Sequence, residues 1–197
     1  MSNQAKAGQV VPGIDLSIID ENGRHLPHDG KSIGEVAVRG PWICGEYYKN
    51  PQPAKFRDGW LLTGDVAMID SEEYLIITDR TKDLIKSGGE WISSVDLENH
   101  IVSLAGVAQA AVVAVPHPKW DERPVAIVVR APGGSVTQQQ VLAHCEGRFA
   151  KWQLPDEVLF REAIPLTSTG KIDKKVIRSG LAAERYELPD QRAGRAG

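Results

Sequence analysis

Two textures of apolar and polar positions divide the chain. Between residues 10 and 78 apolar side chains recur at every second position in short runs: Leu16 and Ile18 share one side of Asp15 to Ile19, and Glu35-Val36-Ala37-Val38-Arg39 alternates in the same way. Asn22-Gly23 marks a turn before Leu26, Asp58-Gly59 marks another, and Val66 to Ile69 and Tyr74 to Thr78 read as two further strands. Short strands at this spacing predict a small barrel-like or sandwich sheet; residues 41–57 between them follow no period.

After Lys82 the pattern mixes helix and strand. Ser93 or Ser94 can cap a helix whose Leu97, Ile101 and Leu104 fall at i, i+4 and i+7, with Gly106 ending it. Ala110 to Val115 and Pro124 to Val129 are continuous apolar runs, as expected of strands covered on at least one face. Thr137-Gln138-Gln139-Gln140 has the form of a capping box, and Val141, Cys145, Phe149 and Trp152 make one apolar stripe that reads as core before Leu154-Pro155. Val158 to Phe160 is a last short strand, Asp173 can cap a final helix carrying Val176, Ile177 and Leu181, and residues beyond Arg185 read as frayed.

The two textures meet in Leu75-Ile76-Ile77-Thr78-Asp79-Arg80-Thr81-Lys82-Asp83-Leu84-Ile85-Lys86-Ser87-Gly88-Gly89-Glu90, a strand that turns into charge and ends in a double glycine. By pattern alone it is a strand, a solvated loop and a turn. Together with Asp58-Gly59-Trp60-Leu61-Leu62-Thr63-Gly64-Asp65 upstream and Pro165-Leu166-Thr167-Ser168-Thr169-Gly170-Lys171 downstream, it resembles the AMP-forming acyl-CoA synthetases of the adenylate-forming superfamily. Ser87 to Glu98 is most similar to bacterial medium- and long-chain fatty acyl-CoA ligases. The similarity runs from about Gly8 to about Leu181 and corresponds to the last third or so of such an enzyme.

The resemblance implies an α+β fold: residues 8–79 as a β-barrel-like end of the large adenylation domain, residues 80–185 as the mobile C-terminal lid, and 186–197 as a tail. It implies a reaction of a fatty acid, ATP and CoA through an acyl-adenylate. Lys171 matches the lysine that bridges the acyl carboxylate and the α-phosphate, Asp65 the ribose ligand and Arg80 its neighbour in the ribose and phosphate region. Lys82 matches the hinge, and Gly88 and Gly89 the strip that approaches CoA. A carboxylate attacking a phosphate joins two anions, so a mobile point cation serves the transition state. The family's phosphate-binding loop and the glutamate that supports Mg²⁺ have no counterpart here, so Mg²⁺ and the acyl pocket are expected outside this stretch. By itself the chain is expected to be incomplete as an enzyme. Two alternatives stay open: a ligase for an aryl, short-chain or other carboxylic acid, and a binding module that docks to nucleotide or another chain without turnover.

Other chemistries are disfavoured. Pro165 stands where a Walker A loop has its first glycine and Ile172 follows Lys171, against that motif. The five histidines, His25, His28, His100, His117 and His144, show no metal-ligand spacing, and no Gly-x-Ser-x-Gly elbow occurs. A net charge of -3 with dispersed basic residues gives no electrostatic footprint for nucleic acid. Cys44 and Cys145, far apart in sequence, read as buried free thiols suited to a reducing cytoplasm. No stretch approaches the roughly 18 apolar residues of a membrane span.

Overall fold

Alternation in the first half of the chain produces an antiparallel sheet. The computed structural model describes residues 6–20, 22–49, 51–184 and 186–188, which divide into two compact units, one ending at Lys82 and the other beginning at Asp83. In the first unit five strands, β1 (Asp15–Ile19), β2 (Gly34–Arg39), β3 (Phe56–Arg57), β4 (Trp60–Ile69) and β5 (Leu75–Arg80), form one sheet. The long strand β4 pairs with β2 along one edge, while β3 and β5 share the other. Ile18, Val36, Ala67 and Ile69 form its buried core, with Leu16, Val38 and Leu75 packed against them. At the far edge the backbone of Ala7 and Gly8 bonds to Leu75, so the segment that leads into β1 also covers β5. An uncovered edge of this kind would invite pairing with another chain.

The second unit is built on the β8–β9 hairpin. It contains β6 (Ile85–Ser87), β7 (Glu90–Ile92), α1 (Ser94–Val102), β8 (Val107–His117), β9 (Asp121–Arg130), α2 (Gln138–Glu146), β10 (Glu157–Phe160) and α3 (Lys174–Ala183). β8 pairs antiparallel with β9 from Val107↔Arg130 to His117↔Asp121, and β10 joins β9 in parallel on its other edge. Side chains alternate between faces along a strand. Accordingly Ala110, Val112, Ala126 and Val128 face a core with Leu97, Ile101, Val141 and Cys145 of α1 and α2. Ala111, Val113, Val115, Val125 and Ile127 face a second core with Ile177 and Leu181 of α3. Coverage of both faces is why these strands are continuously apolar.

The helices start where the sequence predicts. Ser93 caps α1 by accepting from the Asp96 amide, Thr137 and Gln140 complete a capping box on α2, and Asp173 caps α3 through the Val176 amide. α1 and α2 also meet through His100 and His144, whose rings stack at 4.1 Å while each Nε2 donates to the other's backbone carbonyl. A buried polar node ties α3 across the hairpin. The Lys174 ammonium lies 2.9 Å from Glu98 Oε1 and donates to Ser94 Oγ at 2.6 Å, and Glu98 Oε1 also accepts the Val112 amide at 2.7 Å.

Three expectations are corrected. Helix α2 ends at Glu146, and Trp152 leaves the apolar stripe for a short 3-10 turn, Lys151–Gln153, where it is 42% exposed. The Arg148 and Phe149 amides both close on the Cys145 carbonyl, and Ala150 then turns extended, with ψ of 152°, which takes the chain off the helix axis before Trp152. Cys44 is exposed in the irregular 41–57 stretch, whereas Cys145 is fully buried; both are free, and burial pushes the Cys145 thiol up to about 11. Residues 186–188, expected to fray, are packed: Tyr186 donates its hydroxyl to Glu157, and Leu188 is fully buried beside the α3 core. Residues 189–197 of the expected tail lie outside the described residues. Among the described residues no helix is long and apolar enough to cross a membrane.

Glu98→Ala would leave the Lys174 ammonium buried without its counter-charge and is expected to cost about 3 kcal/mol or more in urea unfolding. Thr137→Ala, which removes only the α2 cap, is expected to cost about 1 kcal/mol in the same measurement. Asp70, in the β4–β5 turn, accepts from the Lys6 ammonium and from the Tyr74 and Glu72 amides, which hold its carboxyl below the ordinary range. Such a group stabilises the fold above the unfolded value near about 3.9 and ceases to as pH falls through its lower folded value. Asp70→Asn is therefore expected to flatten the acid limb of a stability–pH profile below about pH 4.

Candidate functional site

The residues singled out in the sequence fall on three separate pieces of structure. Asp65 and Arg80 are directly paired in the first unit, as cross-strand partners on β4 and β5, with Arg80 Nε 3.2 Å from Asp65 Oδ1. By local pattern Thr63-Gly64 spells a tight turn leading to Asp65. Asp65 lies instead within β4, at a bulge where Thr63 to Asp65 oppose the single residue Val36 on β2. Gly64 makes the bulge possible: its φ of +80° is a conformation that side chains disfavour. The bulge is held by the Gly64 amide on Glu35 Oε1 at 3.2 Å, the Asp65 amide on Thr63 Oγ1 at 3.1 Å and the Thr81 amide on the Gly64 carbonyl at 2.9 Å. With side chains 33% and 59% exposed, Asp65 and Arg80 form a surface ion pair worth less than about 1 kcal/mol. Its carboxylate is therefore within reach of a ligand hydroxyl at small cost.

Lys82 is exposed and lies in the turn after β5, at the sequence position where the two units meet. Its neighbour Asp83 is anchored in the second unit by Arg178 of α3, whose Nη1 donates to Asp83 Oδ1 at 2.8 Å.

Lys171 lies in the second unit on the loop between β10 and α3. The loop follows no period but is pinned: Leu166 and Ile172 form a bridge, and the Thr167 amide donates to the Lys171 carbonyl at 2.7 Å. The Gly170 amide donates to the Thr167 carbonyl at 2.9 Å, and the Lys171 amide to Thr167 Oγ1 at 3.2 Å. Fixed backbone under an exposed ammonium gives a cation of defined origin and free reach. No described carboxylate pairs with it.

Gly88 and Gly89 are the two central residues of the β6–β7 hairpin, with φ of +62° and +87°. Positive φ at both positions is the backbone of a type I′ turn, which glycine alone enters without strain. The hairpin leans on the tip of β8–β9: Ser87 pairs with Asp121, and the Gly88 amide donates to the Trp120 carbonyl at 2.8 Å. A Cβ on Gly88 would stand 3.0 Å from the Trp120 ring, whereas one on Gly89 would meet nothing.

Sequence reasoning missed what this turn borders. Gly88 is on the rim of a cavity of about 570 Å³ lined by Ser87, Glu90, His117, Trp120, Arg123 and Trp152, with Asp156 at its wall. Trp120 and Trp152 are the large apolar surfaces, each a little over two-fifths exposed. His117 Nδ1 accepts the amides of Lys119 and Trp120, both at 3.1 Å, which fixes the loop that presents Trp120 and places the ring proton on Nε2. The sequence signal available was Trp120, a tryptophan outside any apolar period, since Trp152 reads as the end of the stripe that begins at Val141. Lys171 does not line this cavity, so the structure does not bring it together with Gly88.

The described residues include no group of three or more His, Cys, Asp and Glu side chains able to hold a metal ion, and none is assigned to Mg²⁺.

Comparison with known proteins adds to this geometry. Residues 96–171 match the family model described as the AMP-binding enzyme C-terminal domain. The chain is 51% identical over 179 residues to a long-chain-fatty-acid–CoA ligase of Thermus thermophilus, covering 89% of this chain and 33% of that one. It is 49% identical over 171 residues to the 3-methylmercaptopropionyl-CoA ligase of Ruegeria pomeroyi, covering 87% and 32%. The crystal structure of ATP-bound MatB from Rhodopseudomonas palustris superposes with a TM-score of 0.82 at 34% identity, over 90% of this chain and 36% of that one. The chain thus spans about a third of the length of the relatives it matches. Over that third it is homologous to AMP-forming acyl-CoA ligases, and it carries their AMP-binding enzyme C-terminal domain.

Proposed function

We propose that this chain supplies the lid side of a ligase that converts a carboxylic acid, ATP and CoA to acyl-CoA, AMP and pyrophosphate. In the first step the carboxylate attacks the α-phosphorus of ATP and pyrophosphate leaves. In the second, the CoA thiol attacks the acyl carbonyl and AMP leaves. Lys171 serves the first step by placing its ammonium between carboxylate and phosphate as they approach, a charge most useful in the transition state. Asp65 accepts the ribose hydroxyls, and Arg80 holds that carboxylate in place while adding a cation near the phosphate.

The observation that carries the reading is the cavity behind Gly88. A glycine turn without side chains forms its lip, two tryptophans give it flat apolar walls, and its volume lies within the range of small-molecule sites. A thin pantetheine arm can pass the glycine edge, and an aromatic base can stack on the indoles. Lys171 and this cavity are different surfaces of one unit, so a single lid can serve the two steps only by turning about its connection. An exposed, unburied Lys82 absorbs such a torsion change without loss of core. On this reading the moving lid is the unit that begins at Asp83, and Arg80, which the resemblance counts with the lid, stays with Asp65 on the first unit's sheet.

A fatty acid is the proposed substrate, supported by the 51% identity to the Thermus thermophilus ligase. The 49% identity to the 3-methylmercaptopropionyl-CoA ligase supports a small thioether acid as the second reading. No residue described here is assigned to the acyl tail. Free thiols at Cys44 and Cys145 accord with a cytoplasmic location, which is part of the same proposal.

The test is a chimera in which this chain replaces the matched third of the Thermus thermophilus ligase, assayed for acyl-CoA. Turnover is the expected result; nucleotide binding without turnover would instead favour a binding module. In that chimera Lys171→Ala is expected to slow acyl-adenylate formation by about 100-fold, measured by ATP–pyrophosphate exchange, while thioester formation from supplied acyl-adenylate persists. Gly88→Ala, which strains a positive φ and crowds the Trp120 ring, is expected to do the reverse. Equal loss of both steps in either variant would defeat this division of labour.

A further inference from the structure

Arg123 is the cation in the cavity wall, beside Glu90 and Asp156, and neither proposed step uses it. It is only 8% exposed, on a strand otherwise apolar from Pro124 to Val129. Its Nε donates to both oxygens of Asp156 at 3.0 Å, and Nη2 donates to Asp156 Oδ1 at 2.5 Å and to the Leu154 carbonyl at 3.1 Å. Nη1 donates to Ser87 Oγ at 2.8 Å and to the Trp152 carbonyl at 2.6 Å. A guanidinium carries five N–H groups in a rigid plane, and these contacts engage all of them. Arg123 therefore has no donor left for a phosphate.

Its partners lie on three stretches of the same wall. Ser87 ends β6 and adjoins Gly88, Trp152 sits in the 3-10 turn, and Leu154 and Asp156 lead into β10. We propose that Arg123 is a positioning residue for the CoA-side step: it fixes the glycine lip relative to the Trp152 wall, so that the cavity is open at its working width before a ligand enters. The proposal rests on the reading that this cavity takes part of CoA. Preorganisation of this kind removes an ordering cost that binding would otherwise carry. Lysine cannot substitute, because a rotating ammonium has three donors and no plane with which to hold separate segments in register.

The test uses the chimera, with thioester formation from supplied acyl-adenylate, KM for CoA, ATP–pyrophosphate exchange and Tm measured on each variant. Arg123→Lys is expected to reduce the ratio of thioester formation to exchange by roughly tenfold to hundredfold. Ser87→Ala, which frees only the lip, is expected to move KM for CoA in the same direction by a smaller factor with Tm nearly unchanged, and it carries the test if Arg123→Lys does not fold. Loss of both half-reactions in parallel, or no change in their ratio, would overturn the positioning role. Gly88→Ala separates the two levels of inference. If it leaves thioester formation intact, the cavity is not the CoA side; if it slows that step while Arg123→Lys and Ser87→Ala do not, only the role of Arg123 fails.

Discussion

The second unit depends on one constraint, that the β8–β9 hairpin is buried on both faces. Two adjacent strands of small and β-branched residues leave no solvated side, so helices must cover each face and the polar groups at their ends must find partners inside. α1 and α2 take one face and α3 the other. The Glu98–Lys174 node is the point where this arrangement closes, since one carboxylate satisfies an amide on the open edge of β8 and the ammonium of α3 together. The surfaces proposed to work then fall where the sandwich runs out: the hairpin tip with Trp120, and the loop before α3 with Lys171.

The first unit solves a different problem with a different device. A sheet curled by bulges can turn a polar side chain outward in mid-strand without losing its ladder. Gly64 does so for Asp65, and the paired irregularity between Val66 and Ala67 aligns Arg80 beside it. The ion pair is consequently a product of strand register, not of a flexible loop.

Much of the fold was legible because its signals are local. Period-two alternation located β1 and β2 to within a residue, and the caps Ser93, Thr137 and Asp173 act within three residues of themselves. What escaped was set by distant contacts. Thr63-Gly64-Asp65 spells a turn, and only the opposing strand β2 makes it a bulge. Trp152 continues an apolar stripe on paper, but the chain leaves the helix before reaching it. Cys44 looks like a residue to bury, and Leu188 like part of a tail. Arg123 reads as a polar start to a strand because Ser87 and Asp156, 36 and 33 residues away, are invisible to any local pattern. Motif resemblance could name single residues for the candidate site, but no local pattern revealed the cavity.

The unequal surroundings of the two cysteines have a practical corollary. At neutral pH a thiol held near 11 inside a packed helix offers almost no thiolate, so electrophiles that reach the protein will find residue 44 and pass over residue 145. The chain thus comes with a built-in attachment point for a fluorophore or spin label in the unit that ends at Lys82. A second reporter placed beyond that residue would put the proposed turning of the lid to a direct test, one molecule at a time.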